Sequence, residues 1–162
     1  MATALHSLSD YDPNEVPNGS EFKIGICTSE WNSEITFALL KGAEETLLKQ
    51  GVKAENIINR LVPGSFELPS AAQIMFTKRN PDAIICLGSV IRGETAHFDF
   101  VCQATAQGIK DVALSVSKPV IFGVLTDDNI EQSRARSGGK HGNKGIEAAV
   151  TALKMLAYSK SL

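Results

Sequence analysis

The chain has 162 residues, which is enough for one domain with its own hydrophobic core and short for two. Hydrophobic residues make up 43% and charged residues 21%, as is typical of globular proteins, and the net charge of -2 gives no electrostatic reason to expect nucleic acid or an anionic membrane as a partner. No apolar run approaches the ~18 residues that a membrane span needs, and the N-terminus shows no signal-peptide pattern, so we expect a cytoplasmic protein.

The first twenty residues break every periodic pattern, because residues 10–14 and 17–19 are rich in Asp, Asn, Pro and Gly. We therefore predict an N-terminal arm over residues 1–20 and a single domain over residues 21–162.

From residue 21 onward, strand-like and helix-like patterns alternate. The predicted strands cover residues 22–28, 56–62, 83–87 and 120–125. The predicted helices cover residues 32–50, a segment that starts near Pro69 and stops before a break at 80–82, residues 98 to about 115, residues 129–136 and residues 143–158. Residues 138–142 are rich in glycine and are predicted to form a flexible break.

This alternation predicts a three-layer α/β/α sandwich of the flavodoxin-like type, with a four-stranded parallel sheet, right-handed crossovers and helices on both faces. Ligands in such folds bind outside the carboxyl ends of the strands. The loops that follow the strands are therefore the places to look for functional residues.

The three cysteines, Cys27, Cys86 and Cys102, are widely spaced and lie on apolar faces. They are typical of small buried hydrophobic residues, and none has a C-x-x-C partner, so we expect no disulfide and no metal site.

Aromatic and acidic residues follow the first two strands. Trp31 and Phe66 can stack on a planar heterocycle or pack on the first turns of their own helices, and the sequence leaves both interpretations open. Glu67 can accept hydrogen bonds from a ring N–H or a sugar hydroxyl. Taken alone, it is more simply an acid matched to the helix dipole.

The loop after the third strand contains Gly88-Ser89, then Arg92-Gly93-Glu94-Thr95, with His97 at a helix start. Free backbone N–H groups at such a turn suit a phosphate or carboxylate. His97 is the best candidate for proton transfer, because a helix N-terminus disfavours the imidazolium; the alternative is a histidine satisfied by capping contacts.

Near the C-terminus, four basic residues cluster around the glycine-rich segment: Arg134, Arg136, Lys140 and Lys144. Arginine is suited to phosphate, although such a cluster is usually a solvated basic patch. Residues 93–95 lack the Lys-Ser/Thr ending of a P-loop, and no G-x-G-x-x-G follows the first strand, which argues against nucleoside triphosphates and dinucleotides.

Five segments in the same order resemble one family. They are Trp31-Asn32, residues 62–69 (VPGSFELP), residues 87–98 (LGSVIRGETAHF), residues 119–123 (PVIFG) and residues 131–145. On these motifs the chain, from Glu21 to its end, resembles the 6,7-dimethyl-8-ribityllumazine synthases.

The resemblance implies a reaction in which 5-amino-6-(D-ribitylamino)uracil condenses with 3,4-dihydroxy-2-butanone 4-phosphate. An imine forms, inorganic phosphate leaves, and the ring closes with loss of water. The product, 6,7-dimethyl-8-ribityllumazine, is formed in the penultimate step of riboflavin biosynthesis. No metal or redox cofactor is implied.

The resemblance also implies roles for individual residues. Trp31 would stack on the pyrimidine, and His97 would carry protons. Ser65, Phe66 and Glu67 would hold the ring and ribityl chain, and backbone groups of Ser89, Val90 and Ile91 would bind the ring edge. The phosphate would be cradled by Glu94 and Thr95, mainly through their N–H groups. A neighbouring subunit would supply Phe122 over the pyrimidine and Arg136 on the phosphate, with added positive charge from Lys140 and Lys144.

The implied assembly is a homopentamer, which in some members closes into a sixty-subunit shell. The short segment 138–142 lacks the insertion found in members that stop at pentamers, so the sequence is compatible with a shell. Two alternatives are a non-catalytic flavin- or lumazine-binding protein and a shell protein with a vestigial site. The presence of both His97 and Arg136 argues against them.

Overall fold

The computed structural model of the chain describes Ser7 and residues 9–162. Much of the predicted arm lies outside this part. Of the arm residues that it contains, Pro13–Glu15 form a 3-10 helix and Val16 is buried in the core. The Gly19 amide donates to the Gln50 carbonyl at 2.7 Å, so this segment lies against the rest of the chain. The division at residue 20 stays a prediction.

One parallel sheet forms the middle layer. Its strands are β1 (Ile24–Ser29), β2 (Ile57–Val62), β3 (Ala83–Ile91) and β4 (Val120–Asp127), in the order β2-β1-β3-β4. The helices are α1 (Ser33–Lys49), α2 (Leu68–Arg79), α3 (His97–Val116), α4 (Ile130–Arg136) and α5 (Lys144–Lys160). The predicted three-layer, flavodoxin-like fold is confirmed.

The sheet buries apolar side chains on both faces, as the continuous apolar runs of β1 and β3 predict. On one face, Leu39 of α1 and Leu153 of α5 pack against the strands in one cluster. On the other face, Met75 of α2 and Ile109 of α3 do the same in a second cluster. In the part of the chain that the structure describes, no helix is both long and apolar enough to cross a membrane.

Strands β3 and β4 are longer than predicted. The sequence ends them at residues 87 and 125, whereas their pairing continues through Val90↔Thr126 to Ile91↔Asp127. The dipeptide Gly88-Ser89, typical of a turn, lies within β3. The glycine is needed there because a Cβ would lie 2.5 Å from the Ser65 hydroxyl oxygen. The expectation that residues 89–91 form a loop is therefore wrong.

The segment 138–142, predicted to be a flexible break, contains regular structure instead. Strands β5 (Ser137–Gly139) and β6 (Gly142–Asn143) form a small antiparallel hairpin. Gly138 (φ 123°) and Gly142 (φ 80°) supply the left-handed backbone that its tight turn requires. The same glycines that suggest flexibility in the sequence therefore permit a defined turn.

Helices α1 and α5 approach closely where α5 begins. Asn143 caps α5 by accepting from the Gly145 amide at 2.8 Å, and its amide group donates to the Ala38 carbonyl of α1 at 2.9 Å. A Cβ on Gly145 would overlap the backbone carbonyl oxygen of Leu39. Only glycine fits between these two helices.

We expect Gly145→Ala to lower the free energy of unfolding by about 1–3 kcal/mol, because a backbone oxygen has little freedom to move away from the added methyl group. Chemical denaturation followed by circular dichroism measures the change. Gly93→Ala is the matched control, since a Cβ at Gly93 meets nothing within 4 Å. Equal stability of the two variants would contradict the packing described for α1 and α5.

Candidate active site

A crevice opens at the carboxyl edge of the sheet, where the strand order changes direction. From β1 the chain proceeds to β2 on one side, whereas β3 lies on the other side of β1, so the loops after β1 and β3 diverge. The crevice has a volume of about 350 Å³. The loops after β1 and β2, the end of β3 and the turn that leads into α3 all line it. The predicted site residues among them are Trp31, Ser65, Phe66, Glu67, Ser89, Val90, Ile91, Thr95 and His97.

Two aromatic rings stand at this crevice with most of their surface exposed. Trp31 is 73% exposed and Phe66 is 61% exposed. A ring that packs on its own helix would bury most of its surface. The exposure therefore favours the ligand-stacking interpretation that the sequence left open, because an exposed aromatic face is free to cover a planar ring.

Asn32 holds the loop after β1 against β3. Its backbone is left-handed (φ 58°), a conformation that asparagine tolerates better than most residues. Its side-chain amide donates to the Ser89 carbonyl at 2.9 Å. This strut fixes the neighbouring Trp31, and the sequence predicts Asn32 only as the first residue of a helix.

The loop after β2 lies tightly on the sheet. Ser65 is buried, and its carbonyl accepts from the Thr105 hydroxyl of α3 at 3.2 Å. Glu67, the last residue of the 3-10 helix Ser65–Glu67, is half-buried directly before α2. Its carboxylate lies beside Gly64 and reaches the crevice.

The free edge of β3 forms the floor of the crevice. Strand β1 pairs with β3 only as far as Thr28↔Leu87, so residues beyond Leu87 have no strand partner on that side. Backbone groups of successive strand residues point to alternate edges. The Ser89 carbonyl accepts from Asn32, so the backbone of Ser89 faces the crevice. The backbone of Ile91, two residues further on, faces the same side, whereas the backbone of Val90 faces β4.

The turn between β3 and α3 is open to solvent. All residues from Gly93 to His97 are exposed, and α3 begins at His97 without a side-chain cap on its preceding residue. The His97 amide lies 3.4 Å from the Thr95 hydroxyl. The Asp99 amide donates to the Ala96 carbonyl at 3.1 Å, so part of the helix terminus is already satisfied within the chain. The positive end of the dipole of this 20-residue helix lies at the exposed turn beside the crevice, where it favours an anion.

Five predicted site residues do not line the crevice of their own chain. Glu94 is exposed on the turn between its neighbours Gly93 and Thr95, which do line it. Arg136 donates to the Gln132 carbonyl at 3.1 Å and lies 3.9 Å from the buried Asp127 carboxylate. Phe122 and Lys144 line a separate groove of about 840 Å³ that β4, α3 and α5 form. Lys140 is exposed on the β5–β6 hairpin.

The cysteines do not supply reactive thiolates to the crevice. Burial raises the pKa of Cys27 to about 12 and holds that of Cys86 well above its ordinary value, and all three cysteines are free thiols. Within residues 9–162 and Ser7, no group of His, Cys, Asp and Glu side chains is arranged to hold a metal ion.

Comparison with known proteins gives one consistent result. The sequence model of the 6,7-dimethyl-8-ribityllumazine synthase family matches residues 21–160. A protein of that name from Porphyromonas gingivalis is 54% identical over 160 residues, which cover 99% of each chain. Another from Cytophaga hutchinsonii is 57% identical over 159 residues, covering 98% of this chain and 99% of its own.

The hydrogen bond from Asn32 to the Ser89 carbonyl contributes to the stability of the fold. We expect Asn32→Gly to lower the free energy of unfolding by about 1 kcal/mol, because glycine keeps the left-handed backbone but loses the bond to Ser89. We also expect the emission of Trp31, the single tryptophan of the chain, to change as its loop loosens.

Ser117→Gly is the matched control. Ser117 is also left-handed (φ 52°), so glycine relieves strain there without removing a strut to the crevice. A destabilisation of the same size in both variants would show that the Asn32–Ser89 bond contributes nothing.

Proposed function

The chain belongs to the 6,7-dimethyl-8-ribityllumazine synthase family, and on that premise we propose that the crevice at the carboxyl edge of its sheet is where the family's two substrates condense. The reaction joins 5-amino-6-(D-ribitylamino)uracil to 3,4-dihydroxy-2-butanone 4-phosphate and releases phosphate and water. The observation that carries the proposal is that one crevice contains exposed aromatic rings, a free strand edge and an open helix N-terminus beside a histidine.

The pyrimidine and its ribityl chain occupy the side of the crevice formed by the loops after β1 and β2. Trp31 stacks on the pyrimidine, and Phe66 covers the adjacent side. The ring edge binds to the backbone of Ser89 and Ile91, which β1 leaves unpaired. Glu67 accepts hydrogen bonds from ribityl hydroxyls.

Two further residues complete this side of the site. The buried Ser65 fixes the loop after β2 through its bond with Thr105. Val90 contributes its side chain to the crevice lining, because its backbone is engaged with β4.

The phosphate substrate binds at the N-terminus of α3. The backbone N–H groups of Glu94, Thr95 and the following residues surround the phosphate, and the helix dipole favours its negative charge. The exposed Glu94 carboxylate must point away from that charge. His97, at the same position, exchanges the protons that imine formation and ring closure require.

A second copy of the chain completes the site. Phe122, Arg136, Lys140 and Lys144 lie on surfaces away from the crevice of their own chain, so they reach a crevice only in a neighbour. There Phe122 covers the pyrimidine, Arg136 binds the phosphate, and the lysines add positive charge. We place this assembly in the cytoplasm as a homopentamer. The short segment 138–142 is compatible with further closure into a sixty-subunit shell.

The chemistry then needs no strong nucleophile from the protein, since the amino group of one substrate attacks the carbonyl of the other. Holding both in one crevice replaces a bimolecular encounter by an oriented one. The positive charge of Arg136 and the N–H groups of the turn stabilise the departing phosphate.

The direct test is to mix the purified protein with both substrates and follow the fluorescent lumazine together with inorganic phosphate. We expect product and phosphate in equal amounts, formed faster than in the slow uncatalysed condensation. Product formation at the uncatalysed rate by a folded protein would contradict the proposed activity.

Two variants divide the roles of the site. We expect His97→Ala to lower kcat by about a hundredfold with pyrimidine binding retained, because proton transfer is lost and the stacking surface is not. Equal loss of kcat and pyrimidine binding in His97→Ala would remove the proton-transfer role.

We expect Arg136→Ala to raise the KM of the phosphate substrate selectively.

Mixing the same two variants tests the shared site. The assay is run at a concentration of the phosphate substrate well below the raised KM of Arg136→Ala, where each variant alone has little activity. If His97 and Arg136 act from different subunits, unfolding and refolding both variants together restores up to about a quarter of wild-type activity, because that share of interfaces pairs an intact His97 with an intact Arg136. Each variant refolded alone is the control. No recovery in mixed assemblies would place both residues in the site of one chain.

A further inference from the structure

Every nitrogen of the Arg92 guanidinium donates to a carboxylate, either that of Asp99 in the first turn of α3 or that of Asp128 after β4. Its Nε donates to Asp128 Oδ1 at 3.0 Å. Its two terminal nitrogens donate to the two carboxylate oxygens of Asp99, at 3.0 Å and 3.4 Å. The guanidinium carbon also lies 4.1 Å from the ring centroid of the buried Phe98.

The contacts of the Arg92 side chain restrain the turn between β3 and α3. Residues 93–97 are all exposed, and a Cβ at Gly93 would meet nothing within 4 Å. Arg92 precedes the turn, whereas Phe98 and Asp99 follow it in the first turn of α3. The Arg92 side chain therefore bridges the two ends of the turn that carries His97 and the exposed backbone N–H groups.

The second carboxylate connects the turn to a different part of the molecule. Asp128 follows β4, and the Arg92 amide donates to the carbonyl of the adjacent Asp127 at 2.9 Å. Asp127 in turn accepts from the Ser133 hydroxyl of α4 at 2.8 Å and lies beside Arg136. The turn is thus attached to the β4–α4 connection by a backbone bond and a side-chain bond.

We propose that Arg92 is a positioning residue of the reaction, which rests on the function proposed above. It braces the β3–α3 turn between Asp99 and Asp128 so that the N–H groups and His97 keep a fixed spacing around the phosphate substrate. Arginine suits this role because its planar fork satisfies two carboxylates in one geometry, whereas lysine offers a single charged point.

Arg92 is next to the predicted phosphate turn, so direct phosphate binding is the rival role. In the structure two carboxylates already compete for its charge, and the three side chains together carry a net negative charge. A phosphate would have to displace Asp99 or Asp128 to reach the guanidinium. The two roles predict opposite effects of removing Asp128, which does not line the crevice.

The experiment is steady-state kinetics on Arg92→Gln, Arg92→Lys and Asp128→Asn, with the KM of each substrate measured separately. For the positioning role, we expect both Arg92 variants to lower kcat/KM for the phosphate substrate by about tenfold or more, with the KM of the pyrimidine unchanged. We expect Asp128→Asn to lower it in the same direction, and Asp128→Glu to keep most of the activity. The double variant Arg92→Gln/Asp128→Asn should be no worse than Arg92→Gln alone.

Asp111→Asn is the matched control for loss of an exposed carboxylate. Asp111 is on the same helix α3, is paired with Lys110 at 2.7 Å, and is exposed to a similar extent as Asp99. It lies about 18 Å further along the helix axis, so its removal should leave both KM values and kcat unchanged. Thermal unfolding of every variant checks that folding is retained, as expected because exposed ion pairs contribute little to stability.

Two results would overturn the proposal. A lower KM of the phosphate substrate in Asp128→Asn would mean that Asp128 competes with phosphate for Arg92, which is then a ligand. Unchanged kinetics in both Arg92→Gln and Asp128→Asn would show that the brace has no effect on the reaction. The wild-type protein is assayed first, since failure of that assay contradicts the proposed function and not the role of Arg92.

Discussion

The whole site depends on one unequal pairing in the sheet, because β3 continues past its last partner in β1. Pairing with β1 ends at Leu87, whereas pairing with β4 continues to Ile91. One edge of β3 is thereby fixed by β4 and the other is left open to a ligand. Asn32 closes part of that open edge by binding the Ser89 carbonyl, which brings Trp31 to the crevice. A parallel sheet of equal strand lengths would offer no such floor.

From this edge the site divides into two parts with different physical demands. The side near Trp31 and Phe66 presents aromatic surface and suits a flat, weakly charged ring. The side near His97 presents a helix N-terminus and suits a phosphate. The cationic residue nearest to that turn, Arg92, is occupied by two carboxylates, so the free positive charge must come from elsewhere. Arg136 of a neighbouring copy is the source in our proposal, which makes assembly a condition of catalysis.

The sequence predicts the fold well because its signals are local. Apolar stripes in α1 and α5 and apolar runs in β1 and β3 determine the layers. It fails where a residue acts on a distant part of the chain. Gly88 is typical of a turn, but its lack of a Cβ leaves room for the Ser65 side chain from the loop after β2. Arg92 looks like part of an anion-binding turn, but its partner Asp128 is 36 positions away. Of the residues that would act in a neighbouring subunit, Arg136, Lys140 and Lys144 are visible in the sequence as a basic cluster, whereas Phe122 gives no signal beyond the family resemblance.

The most direct measurement is a crystal structure of the protein with a ribitylaminopyrimidinedione that lacks the reactive 5-amino group, together with inorganic phosphate. We expect the pyrimidine ring to stack on Trp31 with its edge on the Ser89 and Ile91 backbone. We expect the phosphate at the N-terminus of α3, within reach of His97 and of Arg136 from a neighbouring copy. A pyrimidine bound in the groove along β4 and α5, or a phosphate held by Arg92 in place of its carboxylates, would contradict it.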